Sequence, residues 1–113
     1  LLTNGLRLAK DSYVKTLKQH GLTHCYISMN GVDNDDWYEQ IDELRCATKK
    51  VQALENLKKN NLIIDTGTII VKGINDEAFG RLLHMFNKLE IKTSDTLQEA
   101  NFSKNNLSII NTA

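Results

Sequence analysis

Apolar positions cluster into runs that predict strands. The runs are LLTNGL at 1–6, THCYISM at 23–29, LIIDTGTIIV at 62–71 and LSII at 107–110. The third run is rich in β-branched residues, which fit a pleated and half-buried surface. We therefore expect three clear strands and, at 107–110, one further short strand.

Between these runs, apolar residues recur at the three-to-four-residue period of an amphipathic helix. The pattern predicts helices over 11–20, within the acidic stretch 31–46, over 47–60 and over 76–89. Asp11 or Ser12 is expected to cap the first of these helices. Asn75 or Asp76 is expected to cap the last.

The predicted order is β-α-β-α-β-α, which argues for an α/β protein with parallel strands and right-handed crossovers. Parallel sheets are normally covered on both faces, so three strands alone suggest a fragment of a barrel or of a wider sheet. The sequence has no proline, and its first residue, Leu1, already lies inside an apolar run. We expect a piece of a larger protein, with β/α units over 1–92 and a polar segment over 93–113.

Composition narrows the function classes. Fourteen basic residues balance fourteen acidic ones, and aromatic residues make up 6% of the 113 positions. A neutral chain with few stacking rings is not expected to bind nucleic acid. No apolar run reaches membrane-spanning length, the start does not resemble a signal peptide, and two cysteines do not make a secreted disulfide scaffold. We expect a cytoplasmic protein with no membrane partner.

Small polar residues close the second apolar run. Ser28 and Asn30 are two residues apart, so an extended chain points both side chains to the same side. Polar groups at the carboxyl end of a strand are typical of ligand sites in α/β proteins, and also of an ordinary strand-to-loop transition. Arg45 could fold back over this end to hold a carboxylate or a sugar hydroxyl, or lie on the surface. Gly67, inside the third strand, indicates either the close approach of a ligand or a bulge.

Metal-site signals are weak. Cys25 and Cys46 form no Cys-x-x-Cys pair, so Cys25 is expected in the core and the role of Cys46 is open. His20 and His24 have the spacing of a helical metal pair, but the glycine between them is expected to break the helix. The acidic cluster at 33–36 begins like a calcium loop but lacks the central glycine and the closing glutamate. We assign no metal ligand.

Four short motifs line up in order along the chain. They are TNGL at 3–6, YISMNG at 26–31, IDELR at 41–45 and IIDTGTIIVKGIND at 63–76. In this order and spacing the chain resembles the radical S-adenosylmethionine (radical SAM) enzymes. The nearest branch is that of the molybdenum-cofactor GTP cyclase and the activating enzymes. The resemblance implies strands three to five of a partial (β/α)6 TIM-type barrel.

The resemblance also implies site residues, all of them binding S-adenosylmethionine. Ser28 and Asn30 would contact the ribose and amino-acid parts of the cofactor. Arg45 would help to clamp it, and Thr3 would lie near its methionine part. Gly67 stands where the family often has a small polar residue near the cofactor, and Asn30 replaces a commoner aspartate.

The family's chemistry also uses a [4Fe-4S] cluster held by three cysteines in a Cys-x-x-x-Cys-x-x-Cys loop. That motif is absent from this sequence, and the resemblance puts it before Leu1. The implied parent is an oxidoreductase or activating enzyme that generates a deoxyadenosyl radical and abstracts hydrogen from an unidentified substrate. The chain by itself is expected to be inactive, so no catalytic residue is assigned.

Two other functions stay open. One is a different α/β barrel or doubly wound enzyme with a phosphate ligand, and the other is a non-catalytic α/β binding or interaction module. For the radical SAM fragment, removal of the neighbouring strands should leave apolar sheet edges, which favour a homodimer or a swapped oligomer of the isolated chain.

Overall fold

In the computed structural model, residues 2–91 are described, together with the backbone of 107–110. Within these residues the strands are β1 (Leu2–Thr3), β2 (His24–Ser28), β3 (Ile63–Val71) and β4 (Leu107–Ile110). The helices are α1 (Asp11–Gln19), α2 (Asp35–Asp42), α3 (Ala47–Lys59) and α4 (Ala78–Leu89), with a 3-10 helix at Leu6–Ala9. The α/β class and the strand at 107–110 are confirmed, whereas the rest of the predicted segment 93–113 lies outside the described residues.

The strands form one parallel arrangement in the order β1-β2-β3-β4. β3 pairs with β2 over Ile63–Gly67 and with β4 over Thr68–Val71. The β2 ladder ends on the pair Ser28 and Gly67, with one residue opposite one residue throughout. Gly67 therefore does not mark a bulge in this ladder, since a bulge places two residues opposite one.

One face of the sheet carries the core. Side chains alternate along β2, and Cys25 and Ile27 have no exposed surface. They join Val14 of α1, Leu54 of α3 and Leu82 of α4 in one apolar cluster. Each fully buried large apolar side chain stabilises the fold by roughly 1.5–3 kcal/mol. The alternate positions of β2, which include Tyr26 and Ser28, are only partly buried.

β1 is shorter than the run at 1–6 predicts, and the 3-10 helix was not predicted. Gly5 turns the chain with a positive φ of 84°, and its amide donates to Thr3 Oγ1 at 3.0 Å. A Cβ atom at Gly5 would overlap the side chain of Ile27. The turn therefore needs glycine, and it places Leu8 of the 3-10 helix in the core.

The predicted helix caps are wrong for α1 and α4. α1 begins after Lys10 and α4 after Glu77, and neither residue makes a side-chain cap hydrogen bond. Asp11 pairs instead with lysines from its own helix and from α3, and Asn75 bonds to the end of β3. In both places a tertiary partner competes with the local cap for the same side chain.

No helix in the described part of the chain combines the length and the apolar character that crossing a bilayer requires.

Candidate functional site

A cavity of about 240 Å³ opens where β1 and β2 end. Parallel strands bring their carboxyl ends to one edge of a sheet, which is where α/β proteins bind ligands. Residues with polar or thiol groups contribute to its lining, namely Asn4, Ser28, Asp42, Cys46 and Lys50. Leu6 and Leu44 complete it.

Lys50 is the most unusual of these residues because it is a buried cation. Its exposed fraction is 3%, and its ammonium donates to the backbone carbonyl of Ser28 at 2.6 Å and to that of Asn4. Its Nζ atom also lies 5.8 Å from the centre of the Tyr38 ring. Burial lowers the pKa of Lys50, while the nearby Cys46 and Asp42 oppose that change.

The sequence analysis did not identify Lys50, although its position on the apolar face of α3 indicates a buried lysine. Ala47, Lys50, Leu54 and Leu57 share one face of α3 at helical spacing, and three of the four are apolar. All four are buried. A lysine on the apolar stripe of a helix needs polar partners, and here the ends of two strands provide them.

Several polar atoms around the cavity have no partner within the described residues. A lysine ammonium has three donors, and the two carbonyl bonds leave one of them unused. The Ser28 hydroxyl makes no hydrogen bond to the described chain. Asp42 accepts from the Asn30 amide at 2.9 Å through Oδ1, which leaves its second oxygen unpaired. The residues that line the cavity therefore include a lysine with an unused donor, a serine with an unpaired hydroxyl and an aspartate with one unpaired oxygen.

The cysteines do not make a metal or cluster site. Cys25 is in the core, as predicted, and Cys46 is 5% exposed. Burial raises the pKa of both thiols, so both are protonated at neutral pH. Across the described ranges, no group of three or more histidine, cysteine, aspartate or glutamate side chains could hold a metal ion. An iron-sulfur cluster does not fit these residues.

Asn30 and Asn75 tie the ends of β2 and β3 together. The Asn30 side chain accepts from the amide of Ile69 at 2.9 Å. The Asn75 side chain accepts from the amide of Val71 at 2.7 Å and donates to the carbonyls of Asn30 and Ile69 at 2.7 and 2.8 Å. Ser28 thus borders the cavity, whereas the amide of Asn30 holds the backbone and Asp42 in place.

Arg45 lies outside the cavity lining, although Leu44 and Cys46 on either side of it belong to that lining. Its side chain is 53% exposed and contacts Asp36 at 2.8 Å and Glu39 at 2.6 Å. These hydrogen bonds to the two carboxylates raise the pKa of Arg45 above its ordinary value.

The remaining predicted site residues lie on the strands. Gly67 pairs directly with Ser28 across the ladder, so the sheet brings these two together. Thr3 pairs with Ile27, and its hydroxyl accepts the Gly5 amide within the β1 turn. The fold therefore brings Thr3, Ser28 and Gly67 to neighbouring strands.

The two histidines of the metal-pair pattern have separate partners. His20 Nδ1 contacts the carbonyl of Thr16 at 2.9 Å, and His24 Nε2 contacts Asp65 across the ladder.

Comparison with known proteins does not assign this chain to a family. No protein-family model matches the sequence, and no curated protein matches it either.

Proposed function

We propose that this chain supplies S-adenosylmethionine-binding strands to a partial (β/α)6 barrel of the radical SAM type. The motif resemblance and one structural observation support this proposal. The helices build a core with Cys25 and Ile27 on one face of the sheet, and the opposite positions Tyr26, Ser28 and Asp65 are only partly buried. Helices cover one face of the sheet in a β/α barrel, whereas they cover both faces in a doubly wound fold.

The stagger of β3 gives further support to a barrel. β3 pairs with β2 along its first half and with β4 along its second half. Closing a sheet into a barrel requires neighbouring strands to be offset in this way. An offset alone is also compatible with a twisted open sheet, so the one-sided core carries the proposal.

The surroundings of Ser28 suit a ribose-bearing cofactor. The Ser28 hydroxyl is unpaired within the described residues, and its neighbour Gly67 has no side chain that would occupy the same face. Arg45 would reach a cofactor by leaving Asp36 and Glu39. Exposed ion pairs of this kind are worth roughly 0–1 kcal/mol each, so that exchange costs little.

The proposal for this chain is cofactor binding and does not extend to cofactor cleavage. The cluster that supplies an electron to the bound sulfonium needs three cysteines, and this sequence contains two, both buried. Cleavage would require cysteines from another segment of the parent protein.

Calorimetric titration of the folded chain with S-adenosylmethionine tests the proposal. We expect saturable binding that Ser28→Ala weakens by about five- to tenfold, the value of roughly one hydrogen bond. Ser12→Ala, which removes an exposed hydroxyl from α1, is the matched control and should leave binding unchanged. A folded chain that binds no S-adenosylmethionine, or a control that weakens binding equally, would reject the proposal.

A non-catalytic interaction module is the second candidate. It is favoured by Asn30 and Arg45, whose side chains already have partners within the chain. Under this alternative, Ser28→Ala changes no small-molecule affinity.

We also propose that the isolated chain self-associates as a homodimer or a swapped oligomer. Among the described strands β1 pairs with β2 alone, so its other edge offers unpaired backbone groups. Sedimentation at rising protein concentration should show a dimer. A single monomer peak at the highest concentration would contradict this expectation.

A further inference from the structure

A second, open cavity of about 680 Å³ is lined by residues of the 3-10 helix, α1 and α3. Its lining includes three cations, Arg7, Lys10 and Lys49, together with Ser12, Tyr13 and Thr16. We propose that this cavity binds a small anion with two or more phosphate groups. The inference is independent of the proposed function, because S-adenosylmethionine contains no phosphate.

The charge of this lining has one sign. Among the described residues that line the cavity there is no aspartate and no glutamate. Asp11 is close in sequence but is not part of the lining, and its carboxylate pairs with Lys15 at 3.1 Å and with Lys59 at 3.3 Å. The chain as a whole is neutral. The cavity is therefore a local concentration of positive charge, which attracts anions.

The cations of the cavity lack the carboxylate partners that the other arginines have. Arg45 contacts Asp36 at 2.8 Å and Arg81 contacts Asp33 at 3.0 Å. By contrast, the three cations of the cavity make no ion pair within the described residues. An anionic ligand would therefore bind them without displacing a carboxylate of the described chain.

The segment that carries Arg7 is held in place. The side chain of Leu8 is in the core, and the buried amide of Asn56 in α3 donates to the Leu8 carbonyl at 2.9 Å. The guanidinium carbon of Arg7 lies 5.3 Å from the centre of the Tyr13 ring, so a cation–π contact restricts the side chain. A positioned guanidinium can donate to two phosphate oxygens at once, and its fixed position lowers the ordering cost of binding.

The size of the cavity favours an anion larger than a single phosphate. Its volume of about 680 Å³ lies within the 300–1,000 Å³ typical of small-molecule sites. The three cations come from the 3-10 helix, the residue before α1, and α3, so they can contact separate phosphate groups. Inorganic diphosphate and a diphosphate ester share this chemistry. Leu6 and Ala9, which also line the cavity, offer apolar surface to the organic part of an ester.

Calorimetric titration of the folded chain with inorganic pyrophosphate is the first test. We expect saturable binding that weakens with added salt, and orthophosphate should bind about tenfold or more weakly. Isopentenyl diphosphate separates the two sources, because tighter binding than pyrophosphate indicates an ester and weaker binding indicates the inorganic anion. A folded chain that does not bind pyrophosphate, or that binds orthophosphate equally well, would overturn the inference.

Variants at exposed positions provide the second test. Lys49→Met should weaken pyrophosphate binding by about fivefold or more, and Arg7→Lys, which keeps the charge but loses the planar fork, should also weaken it. Lys58→Met is the matched control, because Lys58 is an exposed lysine of α3 outside the cavity lining, and it should leave binding unchanged. Thermal unfolding of each variant checks that the fold is retained. An equal loss in Lys58→Met, or no loss in Lys49→Met and Arg7→Lys, would overturn the assignment.

Discussion

Polar groups at two places along the same sheet edge differ in whether they have hydrogen-bond partners. At the ends of β2 and β3, the amides of Asn30 and Asn75 are used by backbone groups of the loops and strands around them. Around the ends of β1 and β2, the Ser28 hydroxyl and the second oxygen of Asp42 have no partner within the described chain, and Lys50 keeps one free donor.

This difference separates structural polar residues from candidate ligand-binding ones. A buried amide that replaces missing backbone bonds stabilises the fold, and its removal leaves unsatisfied groups. An unpaired hydroxyl beside an open cavity contributes little to stability and is free to contact a ligand. Residue type does not distinguish Ser28 from Asn30 and Asn75, because all three are small polar residues at or after the end of a strand.

Removal of Asn75 should give the largest loss of stability. Asn75→Ala leaves the amide of Val71 and the carbonyls of Asn30 and Ile69 without their partner. We expect the free energy of unfolding in urea to fall by about 2–4 kcal/mol. Asn87→Ala, on the exposed side of α4, is the control and should cost under about 0.5 kcal/mol. Similar losses in both variants would contradict the structural role of this stretch.

Tyr38→Phe should have a smaller effect that depends on pH. The Tyr38 hydroxyl is buried and donates to the carbonyl of Val32 at 2.8 Å, so its loss should cost about 1–2 kcal/mol at neutral pH. Burial raises the pKa of Tyr38 above its ordinary value near 10. Its contribution is therefore complete below about pH 10 and is lost as the pH rises further.

Chemical denaturation between pH 7 and pH 11 checks the Tyr38 expectation. Above about pH 10 the wild type should lose stability more steeply than Tyr38→Phe, so the difference between the two should shrink. A difference that stays constant across this range would show that Tyr38 is not protected from ionisation.

Arg45→Ala should change stability by less than about 1 kcal/mol, because the ion pairs with Asp36 and Glu39 are exposed. The same variant also tests whether Arg45 contacts the cofactor. A loss of S-adenosylmethionine affinity without a loss of stability would assign Arg45 to the cofactor. Lys15→Ala, which removes an exposed cation paired with Asp11 on α1, is the matched control.

Ser28→Ala should have the smallest effect on stability, within about 0.5 kcal/mol, because no hydrogen bond of the described chain is lost. Thermal unfolding of the wild type and the variant measures this directly. A destabilisation of 1 kcal/mol or more would place Ser28 with Asn75 among the structural residues and remove it from the candidate site.

The pattern of apolar and polar residues was enough to predict the order of the elements and much of the core. Period-two and period-3.6 patterns predicted the strands, the helices and the burial of Cys25, since these follow from which side chains must leave water. Residues that make no core contact were harder to predict. The motif spacing predicts that both Ser28 and Asn30 bind a ligand. Nothing in the local sequence shows that Asn30 has partners within the chain whereas the Ser28 hydroxyl has none among the described residues.

Which polar groups remain unpaired depends on contacts between parts of the chain that are distant in sequence. The loop after β3 brings Asn75 to the backbone of Asn30, and α3 brings Lys50 to the ends of β1 and β2. These partners are 45 and 22 or more positions apart in the chain. Hydrogen-bond satisfaction is a property of atoms that meet in space, so a pattern read along the chain predicts burial better than it predicts a site.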